Sequence, residues 1–262
     1  MTEPSDSILL RHDARGVARL TLNRPEAFNS LSLALLARLQ AELDRIAEDP
    51  AVRVVVIAGA GKAFCAGHDL KEMGRDLRDA PVRQLFERCS QMMLTLARLP
   101  QPVIARVHGI ATAAGCQLVA ACDLAVAAAD SRFATSGVKY GLFCSTPMVA
   151  LSRNVPRKAA LEMLLTGDFI PADEALRLGL VNRVVPGDGL DGEVEALCAR
   201  LVDKPRHVLA LGKRAFYRQL ELGMGDAYAF TTDVIVDNAL GRDFAQGLDA
   251  FVHKRKPEWP ED

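Results

Sequence analysis

The segment "SILLRHDARGVARLTLN" reads as two strands around a turn at 13–16, because two apolar-rich runs flank a polar stretch ending in glycine. Helical periodicity follows in "LSLALLARLQAELDRIAED". Leu31, Leu35, Leu39, Leu43 and Ile46 recur three or four residues apart, and Pro50 closes the run. "VRVVVIAG" is short and continuously apolar, the pattern of a strand covered on both faces. A loop, "AGKAFCAGHDLKEM", leads to a helical segment ending near Arg98. "PVIARVHG" predicts a strand, "ATAAGCQLVAAC" a helix and "DLAVAAAD" a further strand. Asp123 is placed to fix the turn between the last two.

Strand, helix and strand repeated in this way predict a parallel α/β core with helices on its faces. Beyond Pro156 the pattern is mostly helical, broken by the short strand "LVNRVV", and "DVIVDNALGRDFAQGLDAFVHKRK" reads as one or two helices. The expected organisation is a core over 1–200 and a helical region over 201–262.

Half of the 262 residues are hydrophobic and a quarter charged, with a net charge of -1. That balance gives no electrostatic footprint for nucleic acid or an anionic membrane. No apolar run approaches the roughly 18 residues of a membrane span. The opening "MTEPSDSILL" has neither the basic start nor the apolar core of a secretory signal. Six cysteines lie scattered without a C-x-x-C pair or zinc spacing, as in a reduced compartment. A soluble, cytoplasmic protein without a metal is expected.

Two Gly/Ala-rich loops follow strands: "FCAGHDL" and "HGIATAAG". Loops at the carboxyl ends of parallel strands line the ligand crevice, and a helix starting there aims unpaired N–H groups into it. Two N–H groups, one per loop, would grip a single carbonyl oxygen and stabilise negative charge on it. Small residues at these places equally permit tight helix–sheet packing.

"NRPEAFNSLS", "KAFCAGHDLKEM", "VHGIATAAGCQLVAACDLAVA", "LTGDFIPADEALRLGLVNRVVP" and "AFVHKRKPEW" together resemble the crotonase (enoyl-CoA hydratase/isomerase) superfamily, in its order and across nearly the whole chain. "AGHDLKE", "IATAAGCQL" and "YGLFCSTP" resemble one branch of unsettled activity most. The resemblance implies a spiral of ββα units with a helical trimerisation region, assembled as a homotrimer or as a hexamer of paired trimers. It also implies binding of an acyl-CoA thioester, with coenzyme A as part of the substrate and no separate cofactor.

By the same resemblance, the N–H groups of His68 and Ala114 polarise the thioester carbonyl. The His68 imidazole is secondary, although decarboxylases of the superfamily that act on methylmalonyl-CoA also carry "AGHD". Arg24, Ala66 and Lys71 are expected along the CoA moiety. Phe251 and Lys254 are expected at its adenine end, from a neighbouring subunit.

Hydration of a 2-enoyl thioester needs a water activated at one carbon and a proton delivered to the next, and the family uses two glutamates for this. The first closes a "GGGCE" pattern; here the place holds Gln117. The second lies four residues after a phenylalanine; here Phe133 leads to Gly137. An amide transfers no proton near neutral pH, and glycine offers no group at all. Cys144, Ser145, Tyr140, Lys139 and Ser136 lie nearby, with His68, His108, Asp69 and Glu72 as candidate bases, but no spacing specifies a triad.

The expected activity is oxyanion-hole chemistry on an acyl-CoA, such as thioester hydrolysis or decarboxylation of a malonyl-type ester, with weak or absent crotonyl-CoA hydration. A non-catalytic acyl-CoA binder and a genuine hydratase with substitute groups are the alternatives. Under the first reading, Gln117→Glu with Gly137→Glu is expected to create hydratase activity.

Overall fold

The computed structural model describes residues 7–259. Strands β1 (Leu9–Ala14) and β2 (Val17–Leu22) form the hairpin expected from the sequence, with Ala14 opposite Val17. Arg15 and Gly16 between them take φ of 51° and 75°, the conformation a two-residue turn needs to match strand twist. Helix α1 (Leu33–Ala47) follows, with the Ser32 hydroxyl accepting the Leu35 N–H at 3.2 Å as N-cap. Leu31 lies ahead of α1 and bridges to His68, so its agreement with the helical spacing is incidental.

β3 (Val54–Gly59) pairs in parallel with β2, and α2 (Leu70–Met73) and α3 (Asp79–Arg98) come next. β4 (Val103–Val107) joins β3 in parallel. The chain then departs from the helix expected at 111, because Ile110–Thr112 is a strand, β5, and α4 (Ala114–Ala121) begins only after it. β6 (Leu124–Ala128) pairs with β4, and β7 (Arg132–Ala134) with β5. The rest comprises α5 (Pro147–Asn154), α6 (Arg157–Thr166), β8 (Ile170–Pro171), α7 (Ala172–Arg177) and β9 (Arg183–Val185). It ends in α8 (Leu190–Val202), α9 (Arg206–Gln219), α10 (Met224–Ala239) and α11 (Arg242–Val252).

The larger sheet runs β1-β2-β3-β4-β6-β9, parallel except for the first pair, and the smaller runs β5-β7-β8. β3 shows why its sequence is apolar throughout. Val55 and Ile57 enter a core shared with α1, α3 and α4, whereas Val54 and Val56 face a second core shared with α8. This is the expected α/β core with a helical C-terminal region. α8 crosses residue 200 while packed on the sheet, so α9 to α11 constitute that region.

A buried polar node ties α9 to the sheet. The Asp123 carboxylate accepts from the Val103 N–H (2.7 Å) and from the Tyr217 hydroxyl (2.8 Å), and pairs with the Lys213 ammonium (2.6 Å). Lys213 also donates to the carbonyls of Leu96 and Gln101. Asp123 thus does more than fix its own turn.

Candidate active site

The 65–69 segment is stitched on both sides. Cys65 donates to the Ile110 carbonyl (3.1 Å) and accepts from the Thr112 N–H (3.0 Å), and Ala66 donates to the Phe28 carbonyl (3.0 Å). Leu31 accepts from Asp69 (3.3 Å) and donates to Gly67 (2.7 Å), so these bonds straddle His68. In a parallel bridge of this kind the straddled residue turns its own N–H and carbonyl to the opposite side. The His68 N–H therefore faces away from Leu31.

Ala114 is the first residue of α4, where an N–H has no intrahelical acceptor. Ala113 before it takes φ 50° and ψ -120°, donates to the Ala134 carbonyl (3.0 Å) and accepts from the Gln117 N–H (3.0 Å). The loops touch: a Cβ built on Gly67 would lie 2.9 Å from the Ala113 methyl carbon and 3.2 Å from the Ala114 nitrogen. His68 and Ala114, named from sequence as the donor pair, are thereby brought side by side.

Gly115 answers the packing alternative. A Cβ there would come within 2.9 Å of the Cys65 Cβ and closer still to the Cys65 carbonyl, so this glycine exists for contact between α4 and the 65–69 segment. Close packing on the 65–69 segment accounts for Gly115, and the unpaired N–H of a helix start for Ala114.

Gln117 stands one turn after Ala114, buried at 4% exposure, with its Oε1 unpartnered. β7, paired with β5, leads into Thr135, Ser136 and Gly137, and the Ser136 and Thr112 hydroxyls lie 2.7 Å apart. At Gly137 a Cβ would sit 2.9 Å from the Cys144 Sγ and closer to the Leu142 carbonyl oxygen. Leu142 donates to the Gly137 carbonyl at 3.1 Å. The 141–146 loop therefore fills the space where a side chain at 137 would start. This revises the expectation that two substitutions restore a carboxylate pair.

Among the other candidates, the His68 ring packs edge-on against Phe86, with centroids 5.0 Å apart and planes at 85°. Neither ring nitrogen makes a hydrogen bond, and burial pushes the imidazole down to about 4, opposed by the nearby Leu31 carbonyl. His108 Nε2 lies 2.8 Å from the Gly61 carbonyl oxygen and its Nδ1 3.3 Å from the Arg106 guanidinium, so both ring nitrogens are engaged. Burial pushes the Cys144 thiol up, opposed by the Gly137 N–H, so it is no activated nucleophile. Ser145 turns to the Phe143 carbonyl, Lys139 pairs with Asp168 (2.6 Å), and Tyr140 is 75% exposed.

Arg24 donates to the Ser30 carbonyl (2.6 Å) and to Asp69 (2.9 Å), so it clamps the 24–30 loop onto the 65–69 segment. Burial of Asp69 opposes its charge, but the bonds from Arg24 and from the Glu72 and Lys71 N–H groups hold its carboxyl below the usual range. Glu72 accepts from the Leu33 N–H (3.2 Å). Lys71 is exposed beside this clamp, and the Ala66 N–H is already bonded. Phe251 and Lys254 are exposed at the end of α11. In the following segment Arg255 turns back to Asp249, and Lys256 (2.7 Å) and Trp259 (2.8 Å) bond to Asp203.

Asn29 escaped the sequence reading. Fully buried with φ 55°, it donates to the carbonyls of Ala60 (2.8 Å) and Ala63 (2.7 Å) and accepts from the Arg24 N–H (2.9 Å). Its tolerance of positive φ was the available signal. Among the described residues no group of three or more His, Cys, Asp or Glu is placed to hold a metal, and no helix is long and apolar enough to cross a membrane.

The family model described as enoyl-CoA hydratase/isomerase matches residues 12–262. Enoyl-CoA hydratase domain-containing protein 3, mitochondrial, of Xenopus laevis is 48% identical over 93% of this chain and 83% of that protein. A solved structure described as enoyl-CoA hydratase from Mycobacterium smegmatis is 57% identical, with a TM-score of 0.95, and covers 97% of this chain and 99% of its own. The human enoyl-CoA hydratase domain-containing protein 3 structure is 45% identical at a TM-score of 0.94, covering 97% and 100%. This is the branch whose motifs the chain shares. The cytoplasmic placement expected from the sequence is corrected, because relatives of this branch at 43–48% identity are mitochondrial by name.

Proposed function

The chain belongs to the enoyl-CoA hydratase/isomerase family, and on that basis we propose that it binds an acyl-CoA thioester and polarises its carbonyl with the N–H groups of His68 and Ala114. It does so without the proton transfers of a glutamate pair. One observation carries the reading: both acid–base places lack an ionisable group, and the second is closed by the Leu142 carbonyl and Cys144. Each missing general acid or base is worth roughly 10²–10⁴-fold in rate. Reactions that depend on oxyanion stabilisation, thioester hydrolysis or decarboxylation of a malonyl-type ester, suit the remaining groups.

CoA runs along the Arg24–Asp69 clamp, with Lys71 free to meet a phosphate. Phe251 and Lys254 serve a neighbouring subunit in a homotrimer or hexamer. Exposed apolar residues along α10, its C-cap and α11, with Leu240 at 83% exposure and Phe251 at 80%, support that assembly.

Incubating the pure protein with a panel of acyl-CoA esters, followed by mass spectrometry, tests the reading. Crotonyl-CoA is expected to persist while another thioester is consumed. Rapid loss of the 2-enoyl absorbance would overturn it. The same lack of proton-handling groups favours one second reading, a binder without turnover, which predicts binding of the panel and consumption of none.

A further inference from the structure

Ala113 is a non-glycine residue at φ 50°, ψ -120°, backbone space that an L side chain enters only at a cost. In the family's "GGGCE" pattern this place is glycine, which enters it freely. The chain nonetheless holds alanine there, at the residue that sets the direction of the Ala114 N–H.

The methyl packs against the main core and also meets the 65–69 segment. It packs against Gly67, the residue before His68, so closely that any Cβ on Gly67 would lie 2.9 Å from it. The main chain on each side is pinned: Ala113 by Ala134 and Gln117, Gly67 by Leu31. The methyl is therefore a spacer between the segment carrying the His68 N–H and the helix start carrying the Ala114 N–H. Without it the main-chain bonds alone hold the two segments apart, and two donors that must meet one oxygen lose the contact that fixes their common focus.

We infer that Ala113 is a positioning residue, whose strained backbone and methyl contact with Gly67 set the spacing of the His68 and Ala114 N–H groups. The inference rests on acyl-CoA binding as proposed above. Such a residue gives stability and polarisation effects of opposite sign, whereas a residue that serves folding alone moves both together.

The test uses butyryl-CoA labelled with carbon-13 at the thioester carbonyl, whose resonance moves downfield when the oxygen accepts hydrogen bonds. Wild type, Ala113→Gly and Ala113→Ser are compared by this displacement and by thermal unfolding. Ala113→Gly is expected to raise the unfolding midpoint by about 3 °C as strain is relieved. The same variant is expected to lose about half the bound displacement or more as the donors lose focus. Ala113→Ser keeps a Cβ against Gly67 and is expected to retain the displacement without the gain in stability. Equal displacement in wild type and Ala113→Gly overturns the inference, as does a lower midpoint for Ala113→Gly. If wild type leaves the resonance at its free position under saturating ester, acyl-CoA binding itself fails, which is a different result from equal displacement in bound forms.

Discussion

Replacing Gly137 tests whether the second acid–base place is merely vacant or closed. A Cβ at this residue would sit 2.9 Å from the Cys144 Sγ and nearer to the Leu142 carbonyl, whereas unstrained contacts between such atoms need about 3.5–4.0 Å. Gly137→Ala therefore requires the 142–144 backbone to retreat by up to about an ångström. That backbone is held by the Leu142 N–H bond to Gly137 itself. Overpacking of this kind costs about 1–3 kcal/mol, which corresponds to a fall of roughly 4–8 °C in the unfolding midpoint for 2 kcal/mol in a chain of this size.

Scanning calorimetry of wild type and Gly137→Ala measures this directly. Gly137→Glu must lose at least as much, and Gln117→Glu with Gly137→Glu is expected to gain no crotonyl-CoA hydration. Gly137→Ala unfolding within about a degree of wild type would refute the closed-loop reasoning. Hydration by the double variant would do so independently.

Protonation of His68 supplies a pH dependence. Its folded value is pushed down to about 4 by burial, from an ordinary 6.5, so the unfolded chain takes up the proton first as pH falls. Stability is unaffected above about pH 6.5 and is lost between that value and 4, by about 2 kcal/mol at pH 5. His68→Leu should remove this component, so the stability difference between wild type and variant must change by that amount from pH 7 to 5; a constant difference refutes it. Lys213→Met leaves the largely buried Asp123 carboxylate without its cation and is expected to cost about 3–5 kcal/mol in urea unfolding. Adding Asp123→Asn should recover part of that cost, and a double variant no more stable than the single would count against the charge argument.

The elements most legible in the sequence were those whose burial follows one period. α1, β3 and the strands on either side of it announce themselves because each faces a core on one side or both. The smaller sheet was missed for the converse reason. β5, β7 and β8 span three, three and two residues, too few to show a period, and Ile110–Thr112 merges with α4 into one apolar run. That omission matters for the proposed site, because the β5–β7 pairing sets the strand leading to Gly137 beside the strand leading to α4. The proposed site residues were legible only through the resemblance. No local pattern shows that Arg24 is spent on Asp69 or that Asn29 braces the loop around it, since both depend on contacts 31 to 45 residues away in the chain.

The run Ala113-Ala114-Gly115 looks like one feature in sequence and is three in space. Gly115 is small because the Cys65 backbone lies against it, Ala114 presents an N–H, and Ala113 bears a strained backbone whose methyl meets Gly67. A comparable division separates the two missing glutamates. Gln117 is close in shape to glutamate and occupies a buried position with its amide oxygen unpartnered, so a single substitution returns a carboxylate there. Gly137 admits no side chain until the 141–146 loop moves, which makes the second loss a matter of backbone architecture rather than of one residue. The loop occupies the room a side chain at 137 would need, so on the proposed reading the folded structure itself disfavours two-carboxylate chemistry.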